Sequence, residues 1–247
     1  MTMLPKAAPP GARKLGLVID LDTCVGCHAC AVSCKEWNGG GEAGVLPDYD
    51  KYGTHPDGVW FNRVHSYESE SQGCSRTVNL PRSCLHCEDA LCVTVCPTGA
   101  SYKRAEDGIV LIDTDICIGC KLCSWACPYG AREFDEDAGV MRKCTLCVDR
   151  IYDEGLPPAE REPACVSSCP ARARHFGDLA DPHSHVSRLV AERGGSDLLS
   201  DLGYRPTNKY LPPRRAMIPV PPAEAPEPRG GGVGSALLRL LDKALSR

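Results

Sequence analysis

The sequence predicts an α+β fold whose interior is built around cysteine side chains rather than around a conventional apolar core. Three observations support this prediction. The 247 residues include 17 Cys but only 3 Trp, 8 Tyr and 3 Phe, so large apolar side chains are scarce. Every Cys lies between Cys24 and Cys169, and short strand-like segments separate the cysteine groups. Segments with helical periodicity follow the last Cys.

The composition excludes several classes of protein. No apolar run approaches the roughly 18 residues that a membrane span requires, so we expect no direct membrane span. Residues 1–10 contain neither an apolar signal-peptide core nor a twin-arginine pair, which favours a cytoplasmic protein with reduced thiols. No basic stripe with interleaved aromatic residues is present, so we expect no nucleic-acid partner.

Sixteen of the 17 Cys fall into four groups of four, here called tetrads. The first and third tetrads share the spacing C-x2-C-x2-C-x3-C, and the fourth is split into two pairs. In chain order the tetrads are Cys24, Cys27, Cys30 and Cys34; Cys84, Cys87, Cys92 and Cys96; Cys117, Cys120, Cys123 and Cys127; Cys144, Cys147, Cys165 and Cys169. Only Cys74 is left over, and we expect it to be a bystander thiol.

The spacing of the first and third tetrads is typical of two-cluster ferredoxins, which bind [4Fe–4S] clusters. Three thiolates on a tight loop reach three irons of one cubane, and the fourth, one helical turn on, ligates the neighbouring cluster. Gly26 and Gly119 let the backbone bend closely around inorganic sulfide. Pro97, Pro128 and Pro170 fix the chain direction after the last ligand. Four tetrads therefore predict four [4Fe–4S] clusters, which would occupy the interior.

A zinc-stabilised scaffold is the alternative to iron–sulfur clusters. Structural zinc usually takes two C-x2-C pairs that are separated by a dozen or more residues. The fourth tetrad alone would fit such a site, because 17 residues separate Cys147 from Cys165. The compact first and third tetrads do not fit it, which favours iron–sulfur clusters for the chain as a whole.

Short strands are predicted beside the tetrads. Residues 15–20 are predicted as a strand that enters the first tetrad, and residues 60–67 as another, after a Gly-, Asp- and Pro-rich loop over 38–60. Residues 100–113 follow the second tetrad and predict a hairpin around a Gly turn, and residues 131–143 repeat this pattern after the third. The repeat of tetrad and hairpin predicts two ferredoxin-like two-cluster modules.

The sequence changes in character beyond the last tetrad. A helix is predicted with Asp181 as its N-cap, and Gly194-Gly195 ends it. Residues 205–233 are rich in Pro and Gly and are expected to be extended. A helical segment over 235–247 is either a frayed tail or an anchor on a partner. The net charge is −8 over 1–169 and +4 over 170–247, so the basic end is either a solvated surface or a docking surface.

These observations divide the chain into four regions. A flexible N-terminus precedes a double ferredoxin-like, four-cluster domain that carries a long insertion. A helical extension and a Pro/Gly-rich docking tail with a short terminal helix follow it. The predicted bounds are 1–13 for the N-terminus, 14–180 for the four-cluster domain, 38–83 for its insertion, 181–204 for the helical extension and 205–247 for the tail.

Residues 14–193 resemble the iron–sulfur subunits of the dimethyl sulfoxide reductase family of molybdenum oxidoreductases. The resemblance lies in the order of the tetrads, the split fourth tetrad and the phrases Cys-Pro-Tyr-Gly-Ala at 127–131 and Arg-Lys-Cys-Thr-Leu-Cys at 142–147. Within that family, three stretches are most similar to the iron–sulfur subunits of sulfite dehydrogenases. These stretches are 92–108, 174–179 and 208–213.

The resemblance implies that the first tetrad shares its clusters with the fourth, and the second with the third. The four implied ligand sets are quartet A (Cys24, Cys27, Cys30, Cys169), quartet B (Cys34, Cys144, Cys147, Cys165), quartet C (Cys84, Cys87, Cys92, Cys127) and quartet D (Cys96, Cys117, Cys120, Cys123). Some relatives replace one ligand and hold a three-iron cluster. All sixteen positions are Cys here, which implies four [4Fe–4S] clusters.

The resemblance also implies partners. A molybdopterin subunit would carry out the catalysis, and a quinone-reactive membrane anchor subunit would exchange electrons with quinone. This chain would be a non-catalytic electron-transfer subunit, held at the inner face of the cell membrane through its partner. Sulfite oxidation is the expected reaction of the complex, and reduction of dimethyl sulfoxide, polysulfide or tetrathionate is the alternative.

Several side chains close to predicted ligands have two interpretations. His28 and His86 are either surface imidazoles, which we favour, or donors that tune a cluster through its sulfur atoms. Lys121, Arg142 and Lys143 either offset cluster charge or are solvated. The sequence alone does not decide between these interpretations for the three cations.

Overall fold

The structure is a computed structural model, and it describes residues 9–39, 59–71, 74–214 and 218–219. The mixture of short helices and small sheets is an α+β fold. The strands are β1 (Leu15–Asp20), β2 (Asn62–Ser71), β3 (Cys74–Ser83), β4 (Ser101–Lys103), β5 (Val110–Ile112), β6 (Glu133–Asp135), β7 (Val140–Arg142), β8 (Arg174–Asp178), β9 (Lys209–Leu211) and β10 (Ile218–Pro219). The α-helices are α1 (Ala29–Gly39), α2 (Leu91–Thr94), α3 (Leu122–Trp125), α4 (Val148–Ile151), α5 (Ala164–Ser167) and α6 (His185–Arg193).

Strand β1 is the centre of the fold. Its sequence, Leu-Gly-Leu-Val-Ile-Asp, is almost uninterrupted in apolar character, and all six residues are buried. A strand that is covered on both faces needs such a run. It pairs antiparallel with β8 on one side and parallel with β9 on the other. The predicted strand over 15–20 is therefore confirmed.

The two predicted hairpins are also confirmed. Strands β4 and β5 pair with Ser101 opposite Ile112, and strands β6 and β7 pair with Glu133 opposite Arg142. Each hairpin directly follows a tetrad and closes on a glycine-containing turn, as the repeat in the sequence indicated. These local signals suffice because each hairpin needs only neighbouring residues to form.

The insertion over 38–83 differs from its prediction in two ways. Helix α1 continues to Gly39, so the start of the predicted loop is helical, and residues 40–58 lie outside the described residues. The predicted strand over 60–67 is β2, and the chain returns as a second long strand, β3, which the sequence analysis did not predict. The sequence of β3 contains several polar residues and Pro81, which weaken the residue pattern that predicts a β-strand.

The described residues form two units. The larger unit comprises residues 9–39, 59–67 and 77–214 and contains all sixteen tetrad cysteines. In the smaller unit, residues 68–71, 74–76 and 218–219 are described, and there β10 pairs antiparallel with the beginning of β3.

Helix α6 begins three residues later than its predicted first position. Ser184 is its N-cap, because its hydroxyl accepts a hydrogen bond from the Ser187 backbone N–H at 3.1 Å. Asp181, the predicted cap, instead accepts from the His183 N–H at 2.8 Å and closes a turn before the helix. Gly194 ends the helix with a φ of +66°, as expected for a glycine in this position.

The first part of the predicted docking tail belongs to the central sheet. Strand β9 lies within the region 205–247, and Thr207, Asn208, Tyr210 and Leu211 are buried. Residues 1–8, 215–217 and 220–247, which include the predicted helix over 235–247, lie outside the described residues. In the described part of the chain, no helix combines the length and the apolar character needed to cross a membrane.

Candidate metal centres

The first tetrad lies on the loop between β1 and α1. The Cys24 N–H donates to the Asp20 carbonyl at 3.2 Å, which turns the chain as it leaves the strand. Cys24 and Cys27 lie in the loop, whereas Cys30 and Cys34 lie on α1, about one helical turn apart. The tetrad therefore presents its first three thiols from the loop and the helix start, and its fourth from further along the helix.

The same backbone turn occurs in all four tetrads. The residue before the second Cys has a positive φ in each: +70° at Gly26, +48° at His86, +64° at Gly119 and +56° at Leu146. This left-handed region is costly for His and above all for Leu, and such strain is concentrated at functional sites. The sequence shows the turn through glycine in only two tetrads, yet the structure places it in all four.

Quartet A surrounds one cavity. Cys24, Cys27 and Cys30 line it from the first tetrad, and Cys169 lines it from the end of the fourth. Cys169 reaches the cavity because α1 packs against α5, which lies just before this residue. Residues that are more than 130 positions apart in the sequence thus meet at one site.

Quartets C and D line a cavity each. Cys84, Cys87, Cys92 and Cys127 line the first of these cavities, and Cys96, Cys117, Cys120 and Cys123 line the second. Helix α2 carries Cys92 and α3 carries Cys123, and these two helices pack against each other. In each of these two quartets, three thiols come from one tetrad. The fourth thiol is the last Cys of the tetrad that supplies three thiols to the other quartet.

A side-chain amide links two thiols of quartet B. Asn38 Nδ2 donates to Cys34 Sγ at 3.6 Å and to Cys147 Sγ at 3.7 Å, so these two sulfur atoms face the same group. Burial raises the pKa of Cys34 well above its usual value, and Cys144, Cys165 and Cys147 raise it further by charge repulsion. The other three thiols of quartet B therefore lie within electrostatic range of Cys34.

Backbone N–H groups point at the sulfur atoms. Ser101 N–H donates to Cys96 Sγ at 3.3 Å, Met141 N–H to Cys117 Sγ at 3.4 Å, Leu146 N–H to Cys144 Sγ at 3.5 Å and Ala173 N–H to Cys169 Sγ at 3.3 Å. Such donors favour a negatively charged sulfur. At Cys96 burial raises the pKa, but the Ser101 and Thr98 donors outweigh it, and the net pKa is lowered.

In quartet B, by contrast, burial has the largest effect and raises the pKa values of the thiols. It raises the pKa of Cys144 to about 12 and the pKa of Cys165 to about 11, with neighbouring thiols adding to the first of these shifts. Burial therefore disfavours the free thiolates at these two positions, whereas coordination by a metal would deprotonate both thiols. A set of four thiols with N–H donors aimed at their sulfurs fits a [4Fe–4S] cluster.

The sixteen thiols do not converge on single points. Among the described residues, no group of three or more His, Cys, Asp or Glu side chains is arranged to hold one metal ion. All sixteen are free cysteines, and the twelve that form quartets A, C and D line cavities instead. An arrangement around a cavity is suited to a polynuclear cluster, in which each thiolate binds its own iron.

Comparisons with known proteins agree with this geometry. A sequence profile of the 4Fe-4S dicluster domain matches residues 76–179. The B subunit of sulfite dehydrogenase from Allochromatium vinosum is 56% identical over 211 residues, which are 85% of this chain and 88% of that protein. The B subunit of anaerobic dimethyl sulfoxide reductase from Escherichia coli is 41% identical over 182 residues, 72% of this chain and 80% of that protein. The protein belongs to the family of iron–sulfur subunits that includes these B subunits. The B subunit of polysulfide reductase from Wolinella succinogenes is 35% identical over 207 residues, which are 84% of this chain and 98% of that protein.

Membership of the iron–sulfur subunit family confirms the predicted resemblance. Subunits of this family transfer electrons within an oxidoreductase complex and leave the catalysis to other subunits. The chain is accordingly an electron-transfer subunit with [4Fe–4S] chemistry, and it is not an enzyme on its own.

The structure assigns new environments to the side chains that had two interpretations. His86 is fully buried, not a surface imidazole, and its Nδ1 accepts a hydrogen bond from the Val110 N–H at 3.1 Å. Burial lowers its pKa well below the usual value, and Lys143 lowers it further. Lys121 is exposed and lies over the Phe134 ring, whereas Arg142 pairs with Asp135 at 3.0 Å. Lys143 is buried.

Gly26 and Gly119 have the positive φ that favours glycine. At both positions, other atoms of the protein occupy the space that a Cβ would need. A Cβ at Gly26 would lie 2.7 Å from Asn79 Oδ1, and a Cβ at Gly119 would overlap the Gly139 carbonyl oxygen. Each glycine therefore lets another segment of the chain pack onto its tetrad loop, and its close approach to inorganic sulfide stays a prediction.

Three residues beside the thiols were missed by the sequence analysis. Asn38 bridges two sulfurs of quartet B. Arg132 donates to Cys92 Sγ at 2.7 Å, and Arg174 donates to Cys165 Sγ at 3.5 Å. A signal for the two arginines does exist, because the pattern Cys-Pro-x-x-x-Arg occurs both at 127–132 and at 169–174.

Proposed function

We propose that this chain holds four [4Fe–4S] clusters in quartets A to D and relays electrons between a molybdopterin subunit that oxidises sulfite and a quinone-reactive membrane subunit. The complex would lie at the cytoplasmic face of the membrane, with this chain attached through its partners. The observation that carries the proposal is that twelve of the sixteen thiols line three separate cavities in sets of four, which are quartets A, C and D.

The number four is supported by the equivalence of the tetrads. Each has a left-handed residue before its second Cys, and each supplies three thiols to one quartet and one to a neighbour, with the split fourth tetrad giving its last Cys to quartet A. The packing of α1 on α5 and of α2 on α3 supports the arrangement as two modules, one with quartets A and B and one with quartets C and D.

The residues of this chain would hold and tune the centres. The bound clusters supply one-electron redox chemistry, and their potentials depend on ligand type, charge, hydrogen bonds to sulfur and exposure. The chain provides four thiolates per site, backbone N–H donors to several of these sulfurs, and buried side chains that keep water away. No acid, base or nucleophile on the chain is needed for this role.

Sulfite is favoured as the substrate of the complex by one comparison. The B subunit of sulfite dehydrogenase is 56% identical, whereas those of the dimethyl sulfoxide and polysulfide reductases are 41% and 35% identical. Two electrons released from sulfite at the molybdopterin subunit would pass singly through this chain to quinone.

The first experiment characterises the complex purified without oxygen from its native host. We expect iron and acid-labile sulfide in equal amounts, equivalent to four cubanes for each copy of this chain, and quinone reduction that depends on sulfite. Zinc without acid-labile sulfide would instead establish the scaffold alternative. The complex would be a reductase if it contains clusters, does not oxidise sulfite, and oxidises quinol with dimethyl sulfoxide, polysulfide or tetrathionate as the acceptor.

A second experiment interrupts the electron path at one ligand. Cys27 is an exposed member of quartet A, and Cys27→Ser should abolish sulfite-dependent quinone reduction while sulfite oxidation with an artificial acceptor continues. Cys74→Ser is the matched control, since Cys74 belongs to no quartet. Equal quinone reduction in both variants would contradict the ligand assignment.

A further inference from the structure

Three buried cations lie at the three junctions between neighbouring quartets. Arg174 is 3% exposed, Lys143 is 2% exposed and Arg132 is 3% exposed. Each interacts with thiols from two different quartets, and together they link the quartets in the order A, B, C, D. None of them is a predicted ligand.

Arg174 occupies the junction of quartets A and B. It lines the cavity of quartet A, and its Nη1 donates to Cys165 Sγ of quartet B at 3.5 Å. Its Nη2 donates to Asn62 Oδ1 at 2.7 Å, which fixes the guanidinium in place. Cys165 and Cys30, one thiol from each quartet, are the side chains that most favour its charged form.

Lys143 occupies the junction of quartets B and C. Its Nζ donates to the carbonyl of Cys144, a member of quartet B, at 2.7 Å, and to the carbonyl of Val110, which lines the cavity of quartet C. Burial lowers the pKa of Lys143, whereas Cys84 of quartet C and Cys144 of quartet B favour its charged form.

Arg132 occupies the junction of quartets C and D. It lines both cavities, and its Nη2 donates to Cys92 Sγ of quartet C at 2.7 Å. Cys92 and, from quartet D, Cys123 favour its charged form. Its Nη1 is buried and has no hydrogen-bond partner in the described structure, as is also true of Nε in Arg174.

These three cations have no carboxylate partner among the described residues. The buried Arg63, by contrast, pairs with Glu133 at 2.9 Å. A buried charge is costly unless an opposite charge compensates it. In the described part of the chain, the negative groups next to all three are cysteine sulfurs, so the compensating charge is that of the thiolates and whatever they bind.

The sequence places the two arginines by the same rule. Each follows the last Cys of its tetrad by five residues in the pattern Cys-Pro-x-x-x-Arg. The second tetrad has the same pattern with Ser101 in place of the arginine, and there the backbone N–H of Ser101 donates to Cys96 Sγ. One position in the repeat therefore directs a donor towards a thiol in three of the tetrads.

We propose that Arg174, Lys143 and Arg132 are positive spacers that raise the reduction potentials of the two clusters on either side of each and so offset the repulsion between neighbouring reduced clusters. This proposal rests on the four-cluster function proposed above. A reduced cluster with four thiolates carries one more negative charge than an oxidised one, so a nearby buried cation favours reduction. This attraction offsets the repulsion between adjacent reduced clusters, so that both can be reduced when several electrons enter the path.

The test is a redox titration of the whole complex, followed by electron paramagnetic resonance. In Arg132→Gln, the midpoint potentials of clusters C and D should both fall, and the ratio of reduced to oxidised cluster at a fixed potential should drop about tenfold, equivalent to about 59 mV for one electron. Clusters A and B should shift much less. Arg132→Lys keeps the charge and should stay close to the wild type. In Arg174→Gln the larger shifts should move to clusters A and B.

Lys121→Gln is the matched control, because Lys121 lies between two ligands of quartet D but is exposed to water, which screens its charge. Unchanged potentials in Arg132→Gln, or equal shifts in the Gln and Lys variants, would overturn the proposal. If the Gln variants lose iron, the Lys variants decide: wild-type iron content and potentials support a requirement for charge, and loss of iron shows a packing role instead. A wild-type complex without iron clusters would overturn the proposed function itself.

Discussion

Asn208 donates a hydrogen bond from its side-chain Nδ2 to the carbonyl oxygen of Cys84 at 3.1 Å. The Oδ1 of the same amide accepts from the Leu17 N–H at 2.8 Å, and Asn208 is 0% exposed. One side chain thus joins the central strand β1 to the loop that carries quartet C. The residue lies just before β9, in a segment whose sequence resembles a linker.

We expect Asn208→Ala to lower the free energy of unfolding by about 2–4 kcal/mol, because it leaves a buried donor and a buried acceptor without partners. Loss of the visible cluster absorbance on heating measures the effect, and quartet C should be the first site to lose iron. Arg205→Ala is the control from the same segment. Its ion pair with Asp89 is at the surface, so its removal should change the midpoint temperature far less. Equal effects would show that Asn208 has no special role.

Truncation should separate the structural part of the C-terminal region from the remainder. Removal of all residues after Gly203 deletes β9 and Asn208, which should prevent stable cluster incorporation. Removal of all residues after Arg214 retains both, together with the ion pair between Arg214 and Asp22, and should preserve the iron content. Iron and sulfide analysis of the two purified products tests this. Normal iron content in the shorter product would refute the structural role of β9.

Gly119→Ala should damage quartet D selectively. A Cβ there overlaps the Gly139 carbonyl oxygen and also meets the positive φ of +64°, which alone costs about 1–2 kcal/mol. Gly139→Ala is a close control, because its φ is +67° and open space surrounds its Cβ position. We expect the cluster D signal to be lost or broadened in the first variant and retained in the second. Identical spectra would mean that the hairpin moves away at no cost.

The ion pair of Asp20 with Arg193 should stabilise the junction of β1 and α6. Nη1 and Nη2 of the arginine contact the two carboxylate oxygens at 2.8 and 3.2 Å, and both side chains are nearly buried. Arg193→Leu should cost about 3–5 kcal/mol, because it leaves a buried carboxylate unpaired. Adding Asp20→Asn should recover part of that loss. A double-mutant cycle by denaturant unfolding measures the coupling, and strictly additive effects would show that there is none.

The elements that sequence could predict are those with local signals. Strand β1 has a continuous apolar run, both short hairpins have glycine turns, and each tetrad has its own cysteine spacing. The composition and spacing of these segments depend little on the rest of the chain. The division of the tetrads into quartets, by contrast, came only from a family resemblance. It depends on which tetrad loops meet in space, and local sequence does not show this.

The sequence carries a repeated pattern at Arg132 and Arg174, but neither the burial of these arginines nor strand β9 could be recognised from it, for a physical reason. Lys209–Leu211 is only three residues long and precedes two prolines, so its strand character comes from its pairing with β1. Arg132 and Arg174 have the polarity of surface residues, and only the negative sulfurs around them make burial favourable. The start of α6 was misplaced because Asp181 and Ser184 are both good caps, and tertiary packing selects the second.

The pairing of β1 with β9 also bears on biosynthesis. Leu17 and Asn208 are separated by 191 positions, which a ribosome translates in about 10–40 s. Quartets C and D draw only on residues 84–127, whereas quartets A and B wait for Cys165 and Cys169. Iron delivery can therefore begin in the middle of the nascent chain and finish at its flanks, while the apolar β1 stays without its neighbour β9 until residues 209–211 leave the exit tunnel.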